Sequence, residues 1–404
     1  MRAGFYLGLV QLLFATTWTV YVVFLPALAE SAGIARSWVV GILIADQIIF
    51  MAMDFTLGVA ADRVARGMRQ LGGWIAAIST ASCIAFLLMP YAPLAGDVSA
   101  AALVGLMLVW SITSSALRAP PMVLLGKYAP PSLTPWLANL ALFGLGLAGA
   151  VAPVLSAKLR GLDPRLPFAL AGIGLLAAVA AMGWCERRLA QAAASAPAGA
   201  GKPAAQPTVA PPAKAGLGFY LAVAMLGLGF QVHTAINSAP AYLRFASAPM
   251  LEALMPVFWV GFSLLIMPAA WLTTRSGSPA VLAVGAVAGA VCLAGLGSAS
   301  SLTLLVALQL AAGAAWALVI GSMVNAAIEA GRSGREGRAT GTVFALLALA
   351  AALRLSFVAA EMHKAPQWKA LLDWMPAVCW AVAVLLCLAQ FVKPGAPAAK
   401  QRAG

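Results

Sequence analysis

Residues 4–29 pass without one charged side chain, and eleven further stretches of similar length are almost as free of charge. A helix rises 1.5 Å per residue, so about 20 apolar residues cross the hydrocarbon of a bilayer. The stretches fall at 4–29, 37–60, 71–90, 98–118, 134–158, 166–185, 216–241, 251–272, 279–298, 301–325, 339–361 and 370–392. They are continuous, whereas strands of a membrane barrel alternate over about ten residues. The expectation is an all-α integral membrane protein with twelve transmembrane helices. Composition agrees: 63% of the chain is apolar and only 9% charged, against about a quarter charged in soluble domains.

In a soluble protein a net charge of +13 would point to nucleic acid. In a membrane chain the same excess is read as basic loops on the cytoplasmic side, and no nucleic-acid partner is expected. With the N-terminus inside, the inner segments hold more than twice as many Lys and Arg residues as the outer ones. Both termini are therefore expected in the cytoplasm. Only Arg2 precedes the first run, which is too long for the h-region of a signal peptide, so that helix is expected to be retained.

One stretch interrupts the pattern at its midpoint. Residues 186–215, "ERRLAQAAASAPAGAGKPAAQPTVAPPAKA", are built from Ala, Pro, Gly and Gln with no periodic apolar face. Such a segment cannot bury enough surface to fold alone and reads as a flexible cytoplasmic linker. It divides the chain into six-helix bundles at 1–185 and 216–392, with a tail at 393–404. The five cysteines form no CxxC and lie in or beside apolar runs, and His233 and His363 lie far apart. Neither a disulfide framework, a metal site nor a cofactor is expected.

Charge inside the oil is costly and marks function by default. Asp46 and Asp54 lie in the second run and Arg354 in the eleventh. Counted from the outer ends, Asp46 is about 14 Å deep and Arg354 about 10 Å. An Asp46–Arg354 pair, closed when the protein faces inward and broken when it opens outward, is one reading. Partners within each residue's own half are the other. Asp54 is either a proton carrier or part of an inner latch. His233, in the seventh run, can titrate near neutral pH or serve as a packing residue, with Asn237 four residues on along the same face. Gln11, Phe14, Trp18 and Tyr21 form one helical stripe, with Thr17 beside it, and Gln309 and Trp316 share a face in the tenth run. Both resemble the aromatic and polar wall of a solute cavity, although such stripes are more often packing.

Between the second and third runs lies "GVAADRVARGMRQLGG", residues 58–73. Topology alone accounts for arginines there but not for the spacing Gly58-x-x-x-Asp62-Arg63 followed by Arg66. This spacing resembles the signature loop of the major facilitator superfamily, G-x-x-x-D-R-x-G-R-R/K, with Ala65 and Gly67 departing from the pattern and Arg69 standing in for a basic residue. The resemblance implies a latch of Gly58, Asp62, Arg63 and Arg66 against the start of the eleventh helix, near Ala339, Thr340 and Gly341. Arg275-Ser276-Gly277 after the eighth run is a weaker echo, with Thr274 where an acid belongs. Gly146, Gly149 and Pro153 partly match an antiporter motif of the superfamily, or serve close helix packing.

The resemblance implies a secondary transporter that moves a small organic solute by alternating access, driven by a proton gradient rather than ATP, since no phosphate-binding loop is present. Import of an anion or zwitterion is preferred over proton-antiport efflux. A membrane enzyme lacks any recognisable catalytic cluster, and a non-transporting sensor is a further alternative. A monomer in a bacterial inner membrane is expected.

Overall fold

The computed structural model describes residues 1–67, 70–195, 216–332 and 334–391. Among these residues there are helices and turns and no strand. The first half contains α1 (Arg2–Ser31), α2 (Val39–Gly67), α3 (Leu71–Leu88), α4 (Ser99–Ser114), α5 (Pro120–Tyr128), α6 (Thr134–Leu159), α7 (Arg165–Ala180) and α8 (Met182–Ala194). The second contains α9 (Leu217–Val232), α10 (Ser238–Leu243), α11 (Leu251–Leu254), α12 (Pro256–Ser276), α13 (Ser278–Gly297), α14 (Leu302–Gly331), α15 (Glu336–Ala359) and α16 (Pro366–Phe391).

Eleven helical segments of the described residues are long and apolar enough to cross a membrane. One of them, Leu71–Tyr128, is 58 residues long. It is broken at Met89–Val98, where Gly96 takes φ 63°, a conformation that costs glycine little. Its arms α3 and α4 pack against each other. The fourth apolar run also continues further than its composition suggests, through a tight turn at Ser115–Leu117 into α5.

The stretch from residue 186 onward begins in helix: α8 carries it to Ala194, and Glu186 and Leu189 are buried. Its amphipathic turn packs on α3 and α5, which is why a charged and Ala-rich sequence is ordered there. The remainder of the expected linker from residue 196, the tail at 393–404, and Arg69 lie outside the described residues.

Packing within each half follows small residues. Gly8 of α1 and Gly144 of α6 lie backbone to backbone, and Gly261 of α12 meets the Leu310 carbonyl of α14. Such contacts replace the hydrophobic drive that lipid cannot supply between helices. The halves meet chiefly through α2 on α15 and α6 on α12. On the second of these seams Gly146 faces Phe262, and Gly149 lies against the Trp259 ring. The glycines of α6 thus serve close packing. The cysteines are free, and four of the five are buried.

Candidate functional site

Three acids stand eight residues apart on α2: Asp46, Asp54 and Asp62. At 1.5 Å per residue they are spaced by about 12 Å along the helix. All three are buried, and each meets its charge in a different way.

Asp62, near the end of α2, reaches the other half. Its Oδ1 accepts from the Gly337 amide at 2.6 Å and its Oδ2 from the Arg338 amide at 2.8 Å. These amides belong to the first turn of α15, where unpaired N–H groups and the helix dipole favour an anion. Access to that turn depends on glycine. A Cβ on Gly58 would collide with the Gly337 carbonyl, and one on Gly337 with the Gly58 carbonyl. Arg66 adds a hydrogen bond from Nη1 to the Gly334 carbonyl at 3.1 Å, in a turn where Gly334 has φ 85°. Gly58, Asp62 and Arg66 are therefore brought together, against amides two residues and one residue before Ala339. Arg63 is exposed and makes no ion pair among the described residues.

Asp54 is fully buried, and its Oδ2 lies 3.0 Å from Arg118 Nη1. In the sequence Arg118 is the last residue of the fourth apolar run. The turn at Ser115–Leu117 swings it back against α2, with the guanidinium 5.4 Å from the centre of the Phe50 ring and 5.5 Å from that of Phe344 on α15. The pair thus lies at the seam between the halves.

Asp46 is answered by neutral donors of its own half. Tyr21 Oη donates to Oδ2 and Ser111 Oγ to Oδ1, each at 2.7 Å. Aromatic rings enclose this cluster. Trp18 stacks on Trp110 at 5.7 Å between centroids, and both pack against Phe50. Asp46 and Arg354 are not paired in this conformation, and the Arg354 Nε is buried without a hydrogen-bond partner. Both Asp46 oxygens are already occupied, so the alternative of partners within its own half describes Asp46 here.

The other expected cavity residues direct their polar atoms into their own half. Gln11 donates to the Leu117 carbonyl at 2.6 Å, and Thr17 to that of Phe14. His233 Nε2 and Gln309 Oε1 share a hydrogen bond of 2.9 Å, and Gln309 Nε2 donates to Ser238 Oγ at 3.3 Å. Gln309 and Trp316 do share a face, which meets α9: Trp316 stacks on Phe230 at 4.2 Å with planes 5° apart. His233 and Asn237 meet different partners. Residues His233–Asn237 form a π-helical turn, and Asn237 donates to the Leu372 carbonyl of α16 at 2.8 Å. Such turns recur at functional positions in helices.

Sequence reasoning missed two further polar links. Asn139 of α6 crosses the seam, donating to the Ile266 carbonyl of α12 at 2.8 Å and accepting from Asn325 of α14 at 3.3 Å. Asn139 and Asn325 are both fully buried. Glu186, counted in the linker, caps α3: it accepts from the Leu71 and Gly72 amides at 3.2 and 2.7 Å and from Tyr128 at 3.0 Å. A lone acid at the head of a basic run was the available signal for Glu186. Nothing in the sequence around Asn139 marks it. Among the described residues no group of His, Cys, Asp or Glu has the arrangement of a metal site.

No family model matches the sequence, and no curated protein matches it. Solved structures do match. The human organic anion transporter MFSD10 (TETRAN) is similar at a TM-score of 0.68 and 15% identity, over 96% of this chain and 99% of that one. A bacterial homologue of the iron transporter ferroportin, in an outward-facing state, matches at 0.68 and 13%, over 97% and 100%. The proton:xylose symporter XylE, bound to 6-bromo-6-deoxy-D-glucose, matches at 0.67 and 14%, over 97% and 95%. This near-complete overlap shows that the chain has the fold of these major facilitator superfamily transporters.

Proposed function

We propose that the protein is a secondary active transporter of a small organic solute, working by alternating access and driven by a proton gradient. The observation that carries this reading is the Asp62 carboxylate of one half capping α15 of the other. A packing contact within one bundle has no reason to be reversible. A carboxylate held by two amides at a helix end, between glycines, can open to water and reclose without leaving a buried group unsatisfied. Gly58, Asp62, Arg63 and Arg66 form the conformational latch, and Asp46, Asp54, Arg354 and His233 are the gate and coupling groups. Gln11, Thr17, Trp18, Tyr21, Asn237, Gln309 and Trp316 frame the solute cavity.

Counting α3 and α4 as separate crossings gives twelve, with both termini cytoplasmic and the latch on the cytoplasmic face. The basic residues near Asp62 and α15 support this orientation. The halves are the bundles 1–185 and 216–392, rocking as a monomer in a bacterial inner membrane around a site near the midplane. With the latch shut, the conformation is the one in which the Asp46–Arg354 pair is open. Import of an anion or zwitterion is preferred, because cations are available at the seam. Proton-antiport efflux is the second reading. Asp46 within a ring of Trp18, Tyr21, Phe50 and Trp110 favours it, since aromatic faces and one acid suit an organic cation.

Uptake of labelled anions, zwitterions and cations into proteoliposomes, with and without a pH gradient, tests the reading. Accumulation that follows an inward proton gradient supports symport, and accumulation that follows an outward one supports antiport. Solute movement blind to the gradient removes proton coupling, and no movement of any class removes the transporter reading.

A further inference from the structure

We propose that Arg118 is an anion site at the seam between the halves, and that a small organic monocarboxylate binds there by taking the guanidinium from Asp54. The inference rests on the transporter reading and names its solute class and the acid it engages.

The pair is unequal in its surroundings. The Asp54 side chain is wholly inaccessible, while 19% of the Arg118 side chain remains accessible. The carboxylate lies buried behind a cation that keeps some accessible surface. Guanidinium carries five N–H donors in a fixed fork; among the described residues Asp54 is the only ion-pair partner of this one, and neither Asp54 oxygen has a hydrogen-bond partner. The guanidinium lies near Phe50 of the first half and Phe344 of the second. Two parallel N–H groups of a guanidinium match the two oxygens of a carboxylate.

Other charges do not compete for the position. Asp46 and Asp62 lie eight residues to either side on α2, each held by its own donors. From α4 and the turn after it the neighbours of Asp54 are Arg118 and the Ser115 hydroxyl. From α15 they are Gly341, against the Asp54 backbone, and Phe344, beside Arg118. One cation shared between one resident acid and one incoming acid favours a monoanion, because a dianion would leave excess negative charge in a medium that resists it.

Exchange of partners also couples charge to transport. Once the solute holds Arg118, Asp54 is buried with no counter-ion, a state that burial strongly disfavours. A proton from water on the open side forms an O–H bond on the Asp54 carboxylate, and the site then holds one anion and one added proton. When the anion departs on the other side, Asp54 gives that proton to water and returns to Arg118. Anion and proton therefore move in the same direction, one for one.

The test uses the purified full-length chain in detergent, benzoate as the probe and benzyl alcohol as its uncharged control, with affinity measured by calorimetry at about pH 6 and about pH 8, where a carboxylate of ordinary pKa stays ionised. Melting curves establish that each variant is folded. Arg118→Gln should weaken benzoate by about tenfold or more, the worth of a charged hydrogen bond. Asp54→Asn, which removes the resident competitor, should tighten it and abolish the gain in affinity that the wild type shows at the lower pH. Benzyl alcohol should not bind. A merely structural ion pair gives the opposite pattern: both substitutions weaken benzoate together, or neither changes it. Either result overturns the proposal, as does failure of benzoate to bind both the wild type and Asp54→Asn. Where labelled solutes still cross the proteoliposome membrane, such failure removes the anion site and leaves the transporter reading standing.

Discussion

Replacing Asp62 with Asn or Ala should release the grip of α2 on α15. The native carboxylate accepts two amide hydrogen bonds at 2.6 and 2.8 Å, and hydrogen bonds to a charged group are worth about 1.5–3 kcal/mol each. Charge at a helix N-terminus adds about 0.3–1 kcal/mol. Opening returns the carboxylate and both amides to water, so the difference between the two conformations is smaller than that sum. We take about 1–3 kcal/mol, the usual range for coupling between conformations, or about a 5–150-fold change in the ratio of open to closed. Nitroxide labels at Gln70 and Arg335, exposed on opposite halves near the latch, report the ratio by pulsed electron resonance. Asp62→Ala should raise the long-distance population by that factor and Asp62→Glu by less. A distance distribution unchanged in Asp62→Ala would refute the assignment of Asp62 as a latch, because the hydrogen bonds would then carry no conformational bias.

Three further outcomes follow from the same contacts. Asn139→Leu removes the two hydrogen bonds at the seam, one to the Ile266 carbonyl and one from Asn325 Nδ2, which keeps its bond to the Gly321 carbonyl, at a cost of about 0.5–1.5 kcal/mol each; it should lower the melting temperature and widen the Gln70–Arg335 distance, and normal melting with normal distances would show the seam does not depend on it. Gly58→Val drives a side chain into the Gly337 carbonyl and should favour the open latch as Asp62→Ala does, with a closed-state distance unchanged from wild type counting against the glycine argument. For the expected Asp46–Arg354 pair, single substitutions should abolish solute uptake, and the exchange Asp46→Arg with Arg354→Asp should restore part of it; no recovery in the exchange would argue that Asp46 acts only with Tyr21 and Ser111.

Much of this architecture is written in the sequence where the signal is local. Helices that cross lipid must be continuous and apolar, so their positions emerge from composition alone, and Asp62 announces itself through fixed spacing to Gly58 and Arg66. The family resemblance points its partner to the start of the eleventh helix near Ala339, and the amides it meets are those of Gly337 and Arg338. The departures come where the determinant is distant or geometric. Asn139 gains its meaning from a carbonyl 127 residues away. Arg118 ends an apolar run and looks like a loop cation until the Ser115–Leu117 turn aims it at Asp54. The π-helical turn at His233–Asn237 shifts a register that periodicity assumes to be uniform. Glu186 lies in a composition typical of linkers, yet its carboxylate caps α3 while buried neighbours such as Leu189 pack the helix that bears it.

The central claim is that one space between the halves opens alternately to either side under the control of Asp62. In a cysteine-free background, Trp18→Cys should react with an impermeant thiol reagent added outside the cell, and with Asp62→Ala added it should react from the cytoplasmic side instead. Reaction from a single unchanging side in both backgrounds would contradict the account.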